Sequence, residues 1–136
     1  MNNGMGGEET LKDGAGENRP FILVAEDTDS NFLLISTLLK KEYSLQRAIN
    51  GVEAVNICRE SSPDLILMDI RMPEMDGLQA TREIRQFNTD VPIVALTAFA
   101  FEQDRLNALN AGCDGFLTKP LSINELKESI KRFLNN

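Results

Sequence analysis

An apolar run, Leu65-Ile66-Leu67-Met68, stops abruptly at a carboxylate, Asp69, and a turn-rich segment with Pro73, Asp76 and Gly77 follows at once. A short continuous apolar run bounded by turn residues reads as a strand buried on both faces. The run stops at Asp69 because a bare carboxylate is too costly to carry into a dry sheet. Asp69 is therefore expected at the carboxyl edge of a central strand, where open parallel α/β sheets place their ligands.

The remainder of the chain repeats that arrangement. Phe21-Ile22-Leu23-Val24-Ala25 is a second buried strand and ends in Glu26-Asp27. Asp29 or Ser30 is expected to cap the next helix, whose apolar set is read as Leu34, Ile35 and Leu38, with Leu33 exposed and Phe32 on the flank. Tyr43–Ala48 alternates and reads as a strand near an edge. A helix from Val52 to about Glu60 is stopped by Pro63. Gly77–Phe87 is the next helix, Val91–Leu96 a strand ending in Thr97, Phe101–Ala111 a helix closed by Gly112, and Gly115–Thr118 a strand ending in Lys119-Pro120. Ser122 caps the last helix, and Glu125 three residues on completes a capping box. Cys58 lies in an apolar helical pattern and reads as core; neither Cys58 nor Cys113 has metal-like spacing.

Five strand–helix alternations predict a doubly wound parallel sheet with helices on both faces and right-handed crossovers. The single domain is expected over residues 20–136. Residues 1–19 hold five of the nine glycines and almost no large apolar groups, which reads as a tail or linker. The net charge of −7 argues against direct nucleic-acid binding, which needs a clustered basic face. No apolar run approaches membrane-span length and no secretory signal is present, so a cytoplasmic domain without membrane contact is expected. The chain contains no histidine. Chemistry based on a histidine base, ligand or phosphodonor within the chain is excluded.

The strand ends bring Glu26, Asp27, Asp69, Thr97 and Lys119 to one sheet edge. With strand order 2-1-3-4-5, the first and third strands flank the point where the winding direction reverses. Three carboxylates converging there raise one another's pKa, and a hard divalent cation such as Mg²⁺ relieves the conflict. The cation and Lys119 together could neutralise a phosphoryl group, with Asp69 as nucleophile and Thr97 as hydroxyl donor.

From about Phe21 to Leu134 the chain resembles the receiver domain of two-component response regulators, a bacterial signalling family. The resemblance rests on Glu26-Asp27 with Asn31 after it, Met68-Asp69, Met72-Pro73 with Met75-Asp76-Gly77, Thr97-Ala98 and Lys119-Pro120, in order at the strand ends. It implies a flavodoxin-like fold with five helices and a phosphorelay function. Asp69 would be the phosphoacceptor. Asp27 and Asp69 would bind Mg²⁺ directly, the backbone carbonyl of Arg71 would be a third ligand, and Glu26 would act through a water. Thr97 and Lys119 would hold the phosphoryl group, and Phe116 matches the aromatic switch position. The sequence departs from the commonest pattern at Glu26, where Asp is more usual, and at Phe116, where Tyr is frequent. Phe116 therefore cannot hydrogen-bond when it turns.

The implied partner is a histidine kinase or a histidine phosphotransfer domain. The chain is expected to be either a separate regulator or the receiver of a hybrid sensor kinase, the wording of Met68–Gly77 being similar to hybrid-kinase receivers. Exposed Leu33 beside Phe32 would suit a phosphotransfer helix bundle. Arg71 and Phe99, each two positions beyond a site residue, are expected to shield the phosphoryl group from water and prolong its lifetime. Two rival classes stand beside this reading. Asp27-Thr28-Asp29 superficially fits the Asp-x-Asp of haloacid dehalogenase-type phosphatases, with Asp27 as nucleophile. A pseudo-receiver that only binds protein would need a missing site group, and none is missing.

Overall fold

The computed structural model describes residues 18–99 and 101–134. The tail expected over residues 1–19 falls almost entirely outside the described residues. Arg19, at its end, donates from Nη1 to the Lys40 carbonyl at 2.8 Å.

The chain alternates β1 (Phe21–Ala25), α1 (Asp29–Leu39), β2 (Ser44–Ala48), α2 (Gly51–Glu60), β3 (Leu65–Asp69), α3 (Gly77–Arg85), β4 (Ile93–Thr97), α4 (Glu102–Ala111), β5 (Gly115–Thr118) and α5 (Ile123–Leu134). The strands form one sheet in the order β2-β1-β3-β4-β5. Every pairing is parallel, with Ile22 opposite Leu65, Ile66 opposite Ile93 and Val94 opposite Gly115. This is the flavodoxin-like order expected from the sequence.

The two-residue period of a strand divides the core into two layers. Leu23, Ala25, Ile66, Met68, Ile93 and Ala95 pack against Ala54, Val55 and Cys58 of α2, Ala80 and Ile84 of α3, and Ala108 of α4. Ile22, Val24, Leu65, Leu67, Val94 and Leu96 pack on the other side against Ile35 and Leu39 of α1 and Leu126 and Ile130 of α5. The three central strands are apolar on both faces because both faces are covered.

Helix α1 differs from its sequence reading in two respects. Its buried stripe is Ile35, Ser36 and Leu39, with Phe32 packed alongside, whereas Leu34 is exposed together with Leu33. Phe32, Ile35 and Leu39 follow an i, i+3, i+7 spacing; once the large Phe32 ring enters the core layer, Leu34 falls on the opposite face. The helix cap is Thr28, without a side-chain cap bond, not Asp29 or Ser30. Asp29 instead pairs with Arg47 at 2.9 Å.

The starts of α2, α3 and α5 follow their local chemistry, whereas α4 begins at Phe101 without a side-chain cap. Asn50 Oδ1 accepts from the Glu53 amide at 2.8 Å, and Glu53 Oε1 reaches back to the Ile49 amide at 2.9 Å. Asp76 Oδ1 accepts from the Gln79 amide at 2.9 Å, which assigns Asp76 to capping α3. Ser122 Oγ accepts from the Glu125 amide at 3.3 Å. Gly112 ends α4 with φ 115°, the left-handed conformation that favours glycine.

Candidate functional site

Four strand ends, those of β1, β3, β4 and β5, deliver the site. Beyond β1, Glu26 remains tied to the sheet through its amide, which donates to the Ala48 carbonyl at 2.9 Å. Its side chain is fully buried. Glu26 Oε1 accepts from Lys119 Nζ at 3.2 Å, while Oε2 accepts from the Thr28 amide at 3.2 Å and Asn31 Nδ2 at 3.4 Å. Asp69, at the end of β3, is 4% exposed. Its Oδ2 accepts from Lys119 Nζ at 3.1 Å, and its Oδ1 from the Arg71 amide at 3.2 Å. Lys119 thus reaches from the end of β5 across β4 to bridge two buried carboxylates. Asp27 is exposed, yet one carboxylate oxygen each from Glu26, Asp27 and Asp69 can be drawn from within 4.8 Å of one another.

The electrostatics follow from that geometry. Burial, then the neighbouring Glu26 charge, push the Asp69 carboxyl up to about 6, with Lys119 acting in the opposite direction. Burial pulls Lys119 down, but Asp69 and Glu26 together outweigh it and hold its ammonium above the ordinary lysine value. One lysine faces two buried acids, so the cluster carries excess negative charge. Its donors are hard carboxylate oxygens suited to Mg²⁺.

Thr97 is buried at the end of β4, and its Oγ1 accepts from the Phe99 amide at 3.1 Å. Acting as acceptor leaves the hydroxyl hydrogen free to be donated elsewhere. The Thr97 carbonyl accepts from the Lys119 amide at 2.7 Å, tying the β4 and β5 ends together. Arg71 is exposed at the mouth with its guanidinium 4.9 Å from the Phe99 ring centroid, and the Phe99 and Phe101 rings stack at 6.4 Å. Phe116, opposite Ala95 on β5, is half-buried against the layer that contains α4. Arg71 and Phe99 therefore meet beside the site, whereas Phe116 stands two strands away from Asp69.

The loop after β3 is closed from below by two glycines. The Gly77 amide donates to the Ile70 carbonyl at 2.8 Å, and a Cβ on Gly77 would collide with the Asp69 carbonyl oxygen. The Gly51 amide donates to the Met75 carbonyl at 2.9 Å, and a Cβ there would collide with that oxygen. Between them Glu74 takes φ 68°, an uncommon value for a residue with a side chain. The Asp76-Gly77 pair therefore caps α3 and lets it approach the strand end that carries Asp69.

Sequence reasoning missed Arg47. From β2 its Nε donates to the Glu26 carbonyl at 2.9 Å and its Nη1 to Asp29, with the guanidinium over the Phe32 ring. An arginine in an otherwise modest edge strand was the available signal, but its direction follows only from the sheet order. Asp29, the second acid of the Asp-x-Asp reading, is turned to Arg47, and the lysine bridges Glu26 and Asp69. That arrangement does not favour the phosphatase reading.

Comparison with known proteins shows the family. The response regulator receiver domain family matches residues 22–131. The polar-differentiation response regulator DivK of Brucella anthropi is 36% identical over 118 residues, 85% of this chain and 96% of that one. The receiver domain of sensor histidine kinase PA1611 from Pseudomonas aeruginosa, solved with a magnesium ion coordinated in its active-site cleft, superposes with TM-score 0.82 at 38% identity, over 87% of this chain and 99% of that one. A co-crystal structure of the Saccharomyces cerevisiae histidine phosphotransfer protein Ypd1 with the receiver domain of its downstream response regulator Ssk1 matches with TM-score 0.82 at 34% identity, over 86% of this chain and 90% of the matched chain. A sheet wound in the receiver order, an acidic cleft at its switch point and a family match over most of the chain lead to one assignment: this chain is a member of the response regulator receiver domain family of two-component signalling.

Proposed function

We propose that this receiver domain takes a phosphoryl group from a phosphohistidine onto Asp69 and thereby switches its interactions with other proteins. The observation that carries the reading is Lys119 Nζ bridging Glu26 and Asp69, with Asp27 within cation-sharing distance. The donor is a histidine kinase or a histidine phosphotransfer domain. Such a donor implies a cytoplasmic setting. No described helix is long and apolar enough to cross a membrane. The net charge of −7 offers no footing for direct nucleic-acid binding.

The acidic cluster of Glu26, Asp27 and Asp69 suits Mg²⁺, which Asp27, Asp69 and the Arg71 carbonyl would hold directly and Glu26 through a water. When bound, the ion screens the carboxylates and stabilises charge on the transferring oxygens. Asp69 supplies the oxygen that forms the new O–P bond as the N–P bond of the phosphohistidine breaks, and the electron pair of that bond returns to the imidazole nitrogen. Asp69 must be ionised to attack, which its carboxyl at about 6 satisfies at neutral pH. Lys119 Nζ, already bonded to Asp69 Oδ2, follows the charge onto a phosphoryl oxygen. The Thr97 hydroxyl donates to another.

Phosphorylation adds about −1.5 to −2 charges and three acceptor oxygens. Drawing Thr97 towards them shifts the β4–α4 connection and frees space for the Phe116 ring to turn inward. The face formed by α4, β5 and α5 then changes its preference for partners. Arg71 and Phe99, stacked at the mouth, shield the phosphoryl group from water. Apart from transfer to and loss from its own aspartate, the domain catalyses no reaction.

Incubation with Mg²⁺ and acetyl phosphate followed by intact mass tests the proposal. A one-phosphate gain that disappears in D69A and in metal-free buffer is expected. No gain in the parent chain would move the reading to a protein-binding pseudo-receiver. A second form of the same function is the receiver of a hybrid sensor kinase, to which the 38% identity with a sensor-kinase receiver points beside the 36% identity with a response regulator. A reading frame that continues through Met1 into a kinase core would establish that form.

A further inference from the structure

The acidic pair sits just past the end of β1, where the regular ladder with β2 has run out. Ala25 is the last β1 residue in register, opposite Ala48, and the Glu26 amide still reaches the Ala48 carbonyl. The next rung would need a donor from Asn50, but Asn50 is the N-cap of α2 and its backbone has left the sheet. Arg47 supplies the missing donor. Its Nε bonds the Glu26 carbonyl at 2.9 Å, the oxygen of the peptide unit that joins Glu26 to Asp27. Its Nη1 bonds Asp29 Oδ1 at 2.9 Å in the first turn of α1. Its guanidinium carbon lies 5.0 Å from the Phe32 ring centroid, a cation–π contact one turn further on. Nη2 is buried and has no hydrogen-bond partner among the described residues, so the grip rests on Nε, Nη1 and the ring.

The ion pair to Asp29 is solvent-facing, with the Asp29 side chain 95% exposed, and surface pairs of this kind add little stability. Its geometry is the informative part. One planar side chain holds both ends of the segment that presents Glu26 and Asp27, and a planar fork is what arginine offers and lysine does not. Among the described residues the Glu26 carbonyl has no other donor, so without Arg47 the last tie of this segment to β2 is the Glu26 amide on the Ala48 carbonyl, one peptide unit earlier.

We propose that Arg47 is a positioning residue: it fixes the Glu26–Asp27 peptide and the start of α1, so that Asp27 is presented towards Asp69 for cation binding and phosphoryl transfer. The inference rests on the function proposed above. It carries a sign that separates it from simple electrostatics. A positive charge beside an acidic cluster opposes cation binding, so charge alone predicts that its removal tightens the site. Positioning predicts the reverse, since partners that orient metal ligands are worth about tenfold in affinity or more.

The test measures Mn²⁺ binding by electron paramagnetic resonance in the parent chain, R47K and R47M. Phosphorylation by acetyl phosphate is followed in parallel, and thermal melts identify the folded variants. The expected affinity order is parent, then R47K, then R47M, with R47M about tenfold weaker than the parent. Lysine keeps the charge and the apolar stem, so R47K alone decides the matter should R47M fail to fold: it must bind more weakly than the parent. Equal affinity in R47K and the parent, or tighter binding in R47M, overturns the inference while leaving the proposed function intact. A folded parent that binds no Mn²⁺ and gains no phosphate overturns both.

Discussion

Replacing Asp69 with asparagine, in metal-free buffer, tests the electrostatic account of the site. The Asp69 carboxyl is raised from its ordinary 3.8 to about 6, first by burial and second by Glu26. Its folded value exceeds its unfolded one, so the native state binds this proton more tightly than the unfolded chain does. Its contribution is most favourable below about pH 4 and is lost as pH rises through about 6. At about 1.4 kcal/mol per pKa unit, ionised Asp69 costs the native state about 3 kcal/mol at neutral pH. Between about pH 7.5 and pH 5 the parent should regain about 1–2 kcal/mol from this group. Lys119 is also raised, which places its titration well above that window. Urea unfolding of parent and D69N at the two pH values, with chelator present, isolates the contribution as a difference between proteins. D69N should lack the gain, and at pH 7.5 it should be more stable than the parent by about 1–3 kcal/mol, the weakened Lys119 bond offsetting part of the benefit. A D69N variant that gains as much as the parent on acidification, or that is less stable at pH 7.5, refutes the reasoning.

Three further outcomes follow from the same contacts. K119M leaves Glu26 and Asp69 buried without their common partner and should destabilise the metal-free chain by about 3–5 kcal/mol at neutral pH, with the loss shrinking in acid, as read by urea unfolding at both pH values. G77A places a methyl against the Asp69 carbonyl oxygen and should cost about 1–3 kcal/mol in the same assay, together with a loss of phosphorylation rate, because the displaced atom belongs to the phosphoacceptor. The R71N/F99E double variant removes the stacked pair at the site mouth and should lose its phosphate faster than the parent when dephosphorylation is followed by intact mass. Equal rates would show that the pair does not shield the phosphoryl group.

The fold was legible because the buried strands advertise themselves. Leu65–Met68 and Phe21–Ala25 are too apolar for any position but the middle of a doubly covered sheet, and each is followed by a carboxylate that is itself buried, with Lys119 as its partner. The strand-end residues Glu26, Asp69, Thr97 and Lys119 were readable for the same reason: one-dimensional order places them, and the winding rule brings them to one edge. Asp76 was equally open, since Asp-Gly before an amphipathic helix is local chemistry. What stayed hidden depends on third partners. The phase of α1 could not be read from Leu33, Leu34, Ile35 and Leu38 alone, because the Phe32 ring decides which face turns inward. Thr28 rather than Asp29 is the N-cap of that helix, and the Asp29 carboxylate pairs instead with Arg47, eighteen residues later. Arg47 itself gave no motif. Its reach from β2 to the Glu26 carbonyl exists only once β1 and β2 are paired, and so does its hold on the acidic loop.

The central claim is that Asp69, and not one of the two acids beside it, carries the phosphoryl group. An acyl phosphate is reduced by borohydride to the corresponding alcohol, so an aspartyl phosphate leaves homoserine at the modified position. Phosphorylation with acetyl phosphate and Mg²⁺, borohydride reduction and peptide mass spectrometry should therefore place homoserine at position 69. Reduction product at Asp27 would contradict the account and return the phosphatase-type reading, and an unmodified chain would show that the cluster accepts no phosphate.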